Sequence, residues 1–266
     1  MESKKKPENT ASLVLREDHS GGITTVTLNR PDQYNALSEE LLGVLQSTLD
    51  EIAENGNAKV VILAASGKAF CPGHDLKQMR AKPDKAYYQN LFACCSQVML
   101  TMARMPQVVI ARVHGMATAA GCQLVAASDL AVASLDARFA VSGVNLGLFC
   151  STPGVALSRN LSRKRAFDML VTGRFIDAST AVEYGLVNQA VAADALDQAV
   201  QALAQDIARK PADTLREGKA LFYSQLEQGL AQAYALAGET MACNMLFEDT
   251  IEGVDAFIEK RPPDWH

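Results

Sequence analysis

The sequence predicts an α/β fold with a mostly helical C-terminal region. Two apolar, β-branched runs, at residues 60–63 and 108–111, are typical of buried strands, and each is followed by a small-residue turn and a predicted helix. Alternation of strand, turn and helix indicates layered α/β packing with parallel strands. From about residue 194 onward, alanine, leucine and glutamine recur with helical spacing. The predicted parts are a disordered tail over 1–11, a core domain over 12–195 and a helical region over 196–266.

The N-terminal part of the core is predicted to contain a β-hairpin and an amphipathic helix. Residues 12–17 and 23–28 are short alternating stretches on either side of a His-Ser-Gly-Gly turn. Ser38 is placed to cap a helix that ends at an Asn-Gly-Asn sequence, residues 55–57. The apolar residues of this helix share one face: Leu41, Leu42, Leu45, Leu49 and Ile52.

The rest of the core follows from the same signals. A strand is predicted at residues 59–64, and a helix at residues 85–104 ends before Pro106. The further predicted elements are a strand at 108–113, a helix at 120–128, a strand at 130–134, a helix from about residue 178 and a strand at 186–191.

Composition and charge argue against several classes of function. The 266-residue chain is 48% hydrophobic and 21% charged, which suits one large domain or one core with a small appendage. Its formal net charge is -5 and it has no broad basic stripe, which argues against nucleic-acid binding. No apolar run reaches the length that a membrane span needs, so we expect none.

The six cysteines predict free thiols rather than disulfides or a metal site. They form no CxxC pair and show no metal-ligand spacing with the four histidines. Cys94 and Cys95 are neighbours on a predicted apolar helix, where we expect both to be packed. Free thiols and the absence of a signal sequence imply a reducing compartment. We therefore expect a cytoplasmic protein, or a mitochondrial matrix protein if the source is eukaryotic.

Two turns carry the chemistry that the sequence predicts. They lie at residues 70–77 (FCPGHDLK) and 114–123 (HGMATAAGCQ), each between a predicted buried strand and a predicted helix start. Backbone N–H groups at such turns are unpaired and point outward, so two of them can bind one oxygen that develops negative charge. This geometry suits a reaction that passes through an enolate or another oxyanion.

Together with residues 29–37 (NRPDQYNAL), the two turns resemble motifs of the crotonase (enoyl-CoA hydratase/isomerase) superfamily. The motifs occur in the family's order and spacing, and the resemblance runs from about residue 13 to residue 260. It implies a crotonase-like spiral of ββα units, followed by a helical region that forms a homotrimer or homohexamer. It also implies an acyl-CoA substrate, with no cofactor apart from the coenzyme A that belongs to this substrate.

The resemblance assigns the oxyanion donors to two backbone groups. By family position these are the N–H groups of His74 and Ala120, and small residues such as Gly121 let a thioester carbonyl approach the backbone. The first turn could alternatively be only a turn in which Asp75 caps a helix. The His74 ring could assist proton transfer, or it could pack while only the N–H of this residue matters.

The side chains that hydrate enoyl-CoA in the family are missing. This chain has Gln123 and Gly143 where hydratases have glutamates, and a neutral amide cannot accept a proton from water at ordinary pH. The resemblance leaves Asn145, Cys150 and Ser151 as further pocket residues. A Cys150 thiolate could attack a thioester, but no base adjoins it in the sequence, so we expect a packed thiol.

Coenzyme recognition is better preserved. The resemblance assigns coenzyme contacts to six residues: Asn35, Ala36, Leu37, Lys77, Phe257 and Lys260. The last two lie in a segment that, in the family, covers the coenzyme from the same or a neighbouring subunit. The lysines would bind phosphate through their charge. The sequence has no glycine-rich nucleotide-binding motif, which argues against dinucleotides and nucleoside triphosphates.

These observations predict an enzyme that stabilises the enolate or oxyanion of an acyl-CoA thioester. Its nominal label is an enoyl-CoA hydratase/isomerase of fatty-acid or acyl-CoA metabolism. One alternative is a decarboxylase or thioesterase of the same fold, because loss of CO2 creates an enolate without a base. The other alternative is a relative that binds acyl-CoA without catalysis.

Overall fold

A computed structural model describes residues 12–265, so the tail predicted over residues 1–11 lies outside the described part. The strands are β1 (Val14–His19), β2 (Ile23–Leu28), β3 (Val60–Ala65), β4 (Ala69–Cys71), β5 (Val108–Val113), β6 (Met116–Thr118), β7 (Leu130–Ser134), β8 (Arg138–Ala140), β9 (Ile176–Asp177) and β10 (Gln189–Val191). The helices are α1 (Glu39–Glu54), α2 (Leu76–Ala81), α3 (Lys85–Arg104), α4 (Ala120–Ala127), α5 (Ser151–Asn160), α6 (Arg163–Thr172), α7 (Ala178–Tyr184), α8 (Leu196–Ala208), α9 (Ala212–Leu226), α10 (Leu230–Asn244) and α11 (Glu248–Glu259).

The strands form two sheets. The larger sheet has the order β1-β2-β3-β5-β7-β10, in which β1 and β2 form the predicted antiparallel hairpin and the other pairs are parallel. The smaller sheet has the order β4-β6-β8-β9, with β9 antiparallel to β8. Successive pairs β3/β4, β5/β6 and β7/β8 each place a longer strand in the first sheet and a short strand in the second. Helices follow each pair, which gives the expected spiral of ββα units.

Helices cover both faces of the larger sheet. The predicted apolar face of α1 is buried, and the Ser38 hydroxyl accepts the Leu41 N–H at 3.2 Å, which confirms the predicted cap. On the other face, α8 packs its buried residues Leu196 and Val200 against the strands. Residues 196–208 therefore share a core with the sheet, and the division of the chain at residue 195 stays a prediction.

A buried lysine ties helix α9 to the sheet layer. The Lys219 ammonium is 8% exposed and donates to the carbonyl oxygens of Met102 and Gln107, each at 2.7 Å. It also donates to Asp129 at 2.7 Å, and this carboxylate accepts the Tyr223 hydroxyl at 2.6 Å. Burial lowers the pKa of Lys219, and the Asp129 carboxylate opposes that shift. All hydrogen-bonding positions of the ammonium are used, so this group has a structural role.

Two local expectations differ from the structure. Strand β10 begins at Gln189, because Asn188 instead pairs with Ala131 through its backbone N–H and its side-chain oxygen. Cys94 is exposed on α3 while Cys95 is buried, so only one of these two thiols is packed. The six cysteines are all free. Over residues 12–265 no helix has the length and apolar character that crossing a membrane requires.

Candidate active site

The first predicted turn is held so that the backbone N–H of His74 is left without a hydrogen-bond acceptor among the described residues. Leu37 donates its N–H to Gly73 at 2.8 Å and accepts the Asp75 N–H at 3.1 Å, which makes a one-residue bridge across His74. Gly73 has φ +99°, a conformation that other residues rarely adopt. Among residues 12–265 no acceptor is recorded for the His74 N–H.

The second turn is fixed by a strained residue and by two hydrogen bonds. Ala119 has φ +47° and ψ -119°, which is costly for a residue with a β-carbon. Its N–H donates to Ala140 at 2.9 Å, and the Thr118 hydroxyl donates to Pro72 of the first turn, also at 2.9 Å. Helix α4 then starts at Ala120, whose N–H likewise has no recorded acceptor within the described part of the chain.

The two turns lie in direct contact. A β-carbon placed on Gly73 would lie 2.9 Å from the Ala119 β-carbon and 3.0 Å from the Ala120 nitrogen. A β-carbon on Gly121 would lie 1.9 Å from the Cys71 carbonyl oxygen, so only glycine lets α4 pack on β4. Gly121 therefore serves helix–strand packing, and its place in a substrate pocket stays a prediction. The two free N–H groups belong to touching backbones, and such an arrangement can bind a developing oxyanion.

Two side chains of these segments, those of Gln123 and His74, carry no charge and have buried polar atoms. Gln123 is 3% exposed, and its Oε1 has no hydrogen-bond partner among residues 12–265; the same holds for the His74 Nε2. The His74 ring packs edge-on against Phe92, with ring centroids 5.3 Å apart. Burial lowers the pKa of His74 to about 4, so the ring is neutral at physiological pH. The packed arrangement is observed, and a role in proton transfer stays a hypothesis.

Replacing His74 with phenylalanine is expected to make the fold less sensitive to acid. Between pH 6.5 and 4 the unfolded chain binds a proton at His74 that the folded chain does not, so stability rises with pH across this window. The His74→Phe variant should therefore lose roughly 2 kcal/mol less than the parent between pH 7 and pH 4.5. Urea unfolding at both pH values measures this difference, with His19→Phe in the exposed hairpin as the control. Equal acid sensitivity of the parent and His74→Phe would contradict a buried, neutral ring.

The region around Gly143 is closed by its own loop. Gly143 lies in a short 3-10 helix (Ser142–Leu146), and its N–H donates to the Cys150 sulfur at 3.3 Å. A β-carbon here would lie 2.4 Å from the Leu148 oxygen and 2.7 Å from the Cys150 sulfur. The loop therefore leaves no space for a side chain at position 143, and the place of Gly143 in a substrate pocket stays a prediction. Burial raises the pKa of the Cys150 thiol, which agrees with the expected packed thiol.

No contact recorded among the described residues joins the side chains of Asn145 and Ser151 to the two turns. The Asn145 side chain is exposed and donates to Gly173 at 3.4 Å. The Ser151 hydroxyl is exposed and donates to Phe149 at 3.3 Å. Two cavities of about 230 and 420 Å³ lie under α8 and between α9 and α10, so neither adjoins the turns.

Two of the six predicted coenzyme residues instead hold the first turn in place. Asn35 is fully buried; its side chain donates to Ser66 at 2.8 Å and Ala69 at 2.9 Å, and it accepts the Arg30 N–H at 2.9 Å. Leu37 is also fully buried and makes the bridge across His74. Both side chains are therefore engaged within the fold, and contacts of this segment with the coenzyme stay a prediction. Ala36 is partly exposed, so it stays available to a ligand.

The other three predicted coenzyme residues lie on exposed helix ends. Lys77 is exposed in the first turn of α2, which Asp75 caps, and its ammonium has no recorded partner among residues 12–265. Phe257 is 84% exposed near the end of α11, and Lys260 terminates this helix with φ +59°. No hydrogen bond or ion pair within the described chain joins these two residues to the first turn.

Three residues that support the site were not singled out from the sequence for these roles. Thr118 links the two turns, Phe92 packs against the His74 ring, and Arg30 pairs with Asp75 at 3.0 Å. Arg30 lies inside the recognised 29–37 motif, so its position was a usable signal. Thr118 and Phe92 gave no usable signal in the sequence, because their partners lie 46 and 18 positions away.

Comparison with known proteins gives consistent matches over nearly the whole chain. The model of the enoyl-CoA hydratase/isomerase family matches residues 18–266. The mitochondrial enoyl-CoA hydratase domain-containing protein 3 of Rattus norvegicus is 44% identical over 97% of this chain and 86% of that protein. A putative enoyl-CoA hydratase of Thermus thermophilus is 34% identical over 91% of this chain and 97% of that protein.

Solved structures match the fold equally well. An enoyl-CoA hydratase structure from Mycobacterium smegmatis has a TM-score of 0.95 at 58% identity, over 96% of this chain and all of that one. The human enoyl-CoA hydratase domain-containing protein 3 has a TM-score of 0.92 at 42% identity, with the same coverage. Sequence and fold therefore match the same group of proteins.

Proposed function

Because this chain belongs to the enoyl-CoA hydratase/isomerase (crotonase) family, we propose that it acts on an acyl-CoA thioester and stabilises the enolate or oxyanion formed from it. The observation that carries this proposal is the pair of free N–H groups, on His74 and Ala120, at two turns in contact. Donors held in place before the reaction cost no reorganisation when charge develops on the oxygen. In other enzymes the loss of one such donor costs about 2.7–4 kcal/mol of transition-state stabilisation.

Hydratase activity is narrower than the proposed stabilisation of an enolate or oxyanion. Gln123 cannot take a proton from water, and Gly143 has neither a side chain nor space for one. The proposed activity is therefore lyase or isomerase chemistry in which binding of the thioester oxygen does most of the work. Decarboxylation or thioester hydrolysis is the alternative chemistry, and acyl-CoA binding without turnover is the alternative role.

A pair of ligands that differ by one oxygen tests the proposed donors. Butyryl-CoA carries the thioester carbonyl and S-butyl-CoA replaces it with a methylene, while the coenzyme is identical. We expect butyryl-CoA to bind roughly thirtyfold more tightly in calorimetry, since two hydrogen bonds contribute about 1 kcal/mol each. In a crystal of the butyryl-CoA complex the thioester oxygen should lie about 2.7–3.1 Å from both nitrogens. Equal affinities, or a carbonyl elsewhere, would reject the proposal.

A substrate panel separates the alternatives within the family. Hydration of crotonyl-CoA, CO2 release from malonyl-CoA and thiol release from butyryl-CoA each report one chemistry. Water addition at the background rate would exclude hydratase activity. Tight acyl-CoA binding with no turnover in any of the three assays would favour the binding role.

We also propose that the coenzyme contacts Ala36 and Lys77 and that assembly supplies Phe257 and Lys260, from the same or a neighbouring subunit. The support is that both C-terminal residues are exposed, and α9 and α10 present an apolar groove of about 420 Å³, lined by residues such as Phe222, Leu230 and Tyr234. Such a face is costly to leave in water. Light scattering should give the mass of three or six chains, and a monomer would contradict this assembly.

The proposed location is a reducing compartment. Six free thiols, two of them exposed, suit such a compartment. Relatives described as mitochondrial extend the choice from the cytoplasm to a mitochondrial matrix.

A further inference from the structure

A cavity of about 230 Å³ lies on the α8 side of the larger sheet, where the parallel strands β2, β3 and β5 approach their carboxyl ends. Its lining comes from these three strands and the first half of α8, and none of it belongs to the turns at residues 70–77 and 114–123. At about 30 Å³ for each molecule of liquid water, the cavity has the volume of about seven waters. It is therefore a separate site, of a size that suits a small molecule and excludes coenzyme A.

The pattern of side chains on this face of the sheet explains the cavity. Ile62 and Ile110 are buried in the core that α8 covers, and side chains alternate along a strand, so Ala64 and Arg112 come next on the same face. Thr27 pairs with Ala64, and the register of β3 with β5 continues to Arg112, which places these three residues in one row. The outer two strands of the row are about 9.6 Å apart, and the small side chain between them leaves the space open.

Several polar groups that line the cavity have no hydrogen-bond partner recorded among residues 12–265. The Arg112 Nε donates to one oxygen of Asp197, and neither Nη group of this guanidinium has a recorded acceptor. The second Asp197 oxygen, the Thr27 hydroxyl and the Gln201 amide also lack a recorded partner. The Arg112 side chain is only 23% exposed, so its two free donor groups lie mostly within the protein surface. The cavity therefore offers both donors and acceptors to a ligand.

The charges around the cavity distinguish between kinds of ligand. Arg112 and Asp197 form an ion pair whose charges cancel. Glu17 lies opposite Thr25 on β1, so its exposed carboxylate stands on the same face of the sheet. A simple anion would meet one guanidinium beside two carboxylates, and a simple cation would leave the guanidinium donors unused. A ligand that carries both a carboxylate and an ammonium complements both charges of the pair.

We propose that this cavity binds a small α-amino acid in its zwitterionic form. The Arg112 Nη groups donate to the ligand carboxylate, and the free oxygen of Asp197 accepts from the ammonium. An apolar side chain of the size of alanine or valine lies over Ala64, between Ile62 and Val200. The inference goes beyond the proposed acyl-CoA chemistry, because both the ligand class and the lining residues are different.

Calorimetry with L-alanine, propionate and ethylamine tests the ligand class. Propionate keeps the carboxylate without the ammonium, and ethylamine keeps the ammonium without the carboxylate. We expect L-alanine to bind saturably and at least roughly tenfold more tightly than either analogue, because hydrogen bonds to charged groups are the stronger ones. No saturable binding of L-alanine, or equal affinity for one of the analogues, would overturn the proposal.

Three variants test the location of the site. Ala64→Leu fills the cavity without changing a charge, so L-alanine binding should be lost while the unfolding temperature stays the same or rises. Arg112→Gln should weaken L-alanine at least roughly tenfold, to the affinity of ethylamine for the parent. Arg209→Gln, just after α8, is the matched control, because Arg209 is exposed and pairs with Asp206 outside the cavity. Parental affinity in either Ala64→Leu or Arg112→Gln would place the ligand elsewhere and reject this site.

Discussion

Gly121→Ala is expected to destabilise the fold by more than about 4 kcal/mol and to abolish acyl-CoA binding. The added β-carbon would lie 1.9 Å from the Cys71 carbonyl oxygen and 2.8 Å from the Cys71 β-carbon. Two of its nearest neighbours are backbone atoms of β4, so no side-chain rotation relieves the overlap. Either α4 or β4 must move; α4 begins at the proposed donor Ala120, and β4 leads into the turn that holds the proposed donor His74.

Urea unfolding and butyryl-CoA calorimetry measure the two effects of Gly121→Ala. Gly218→Ala is the matched control, because Gly218 is exposed on α9 and its β-carbon would meet nothing within 4 Å. This control should leave binding intact and raise stability by up to about 1 kcal/mol through helix propensity. A Gly121→Ala protein with the parent's unfolding midpoint and affinity would show that the packing of α4 on β4 is not rigid.

Lys219→Met should cost about 3–5 kcal/mol of the free energy of unfolding. The methionine keeps most of the side-chain volume but removes three hydrogen bonds of 2.7 Å, to Met102, Gln107 and Asp129. The Asp129 carboxylate then stays buried without its counter-charge, and two carbonyl oxygens lose their donor. Asp129 also accepts the N–H of Val109 at 2.6 Å, so the start of β5 is affected as well.

Lys164→Met is the control for the lysine variant, because Lys164 is exposed on α6 and has no recorded partner in the described chain. We expect its unfolding free energy to change by less than about 0.5 kcal/mol. Tyr223→Phe, which removes one hydrogen bond to Asp129, should fall between the two variants. If Lys219→Met cost no more than Lys164→Met, the buried cluster would contribute nothing to stability.

Long elements with a clear pattern were predictable from the sequence. The bounds of α3, β5 and β7 agree with the prediction, and the buried face of α1 consists of the five residues expected. The short strands β4, β6 and β8 were missed because three residues are too few to show a period. The helical spacing of α8 did not reveal that its apolar face packs on the larger sheet, because spacing alone does not identify the packing partner.

The position of the candidate site was predicted from the sequence, but the structural roles of several of its residues were not. Asn35, Leu37 and Gly121 belong to the recognised motifs, and the structure shows that they also hold the turns in place. Apart from Arg30, which pairs with Asn35, their partners lie 31 to 50 positions away in the sequence, so periodicity and local spacing could not assign these roles. His74 and Ala120 stay the proposed donors, because their N–H groups are the ones the fold leaves unused.

The closed loop at Gly143 limits how this chain could be redesigned or could revert. Gln123 could become a glutamate by a single substitution at a position that is already occupied by a side chain of similar size. A glutamate at position 143 would instead collide with Leu148 and Cys150, so the loop itself would have to be rebuilt. An engineered route to a two-carboxylate catalyst would therefore need an insertion, a deletion or coordinated exchanges in residues 143–150, rather than two codon changes.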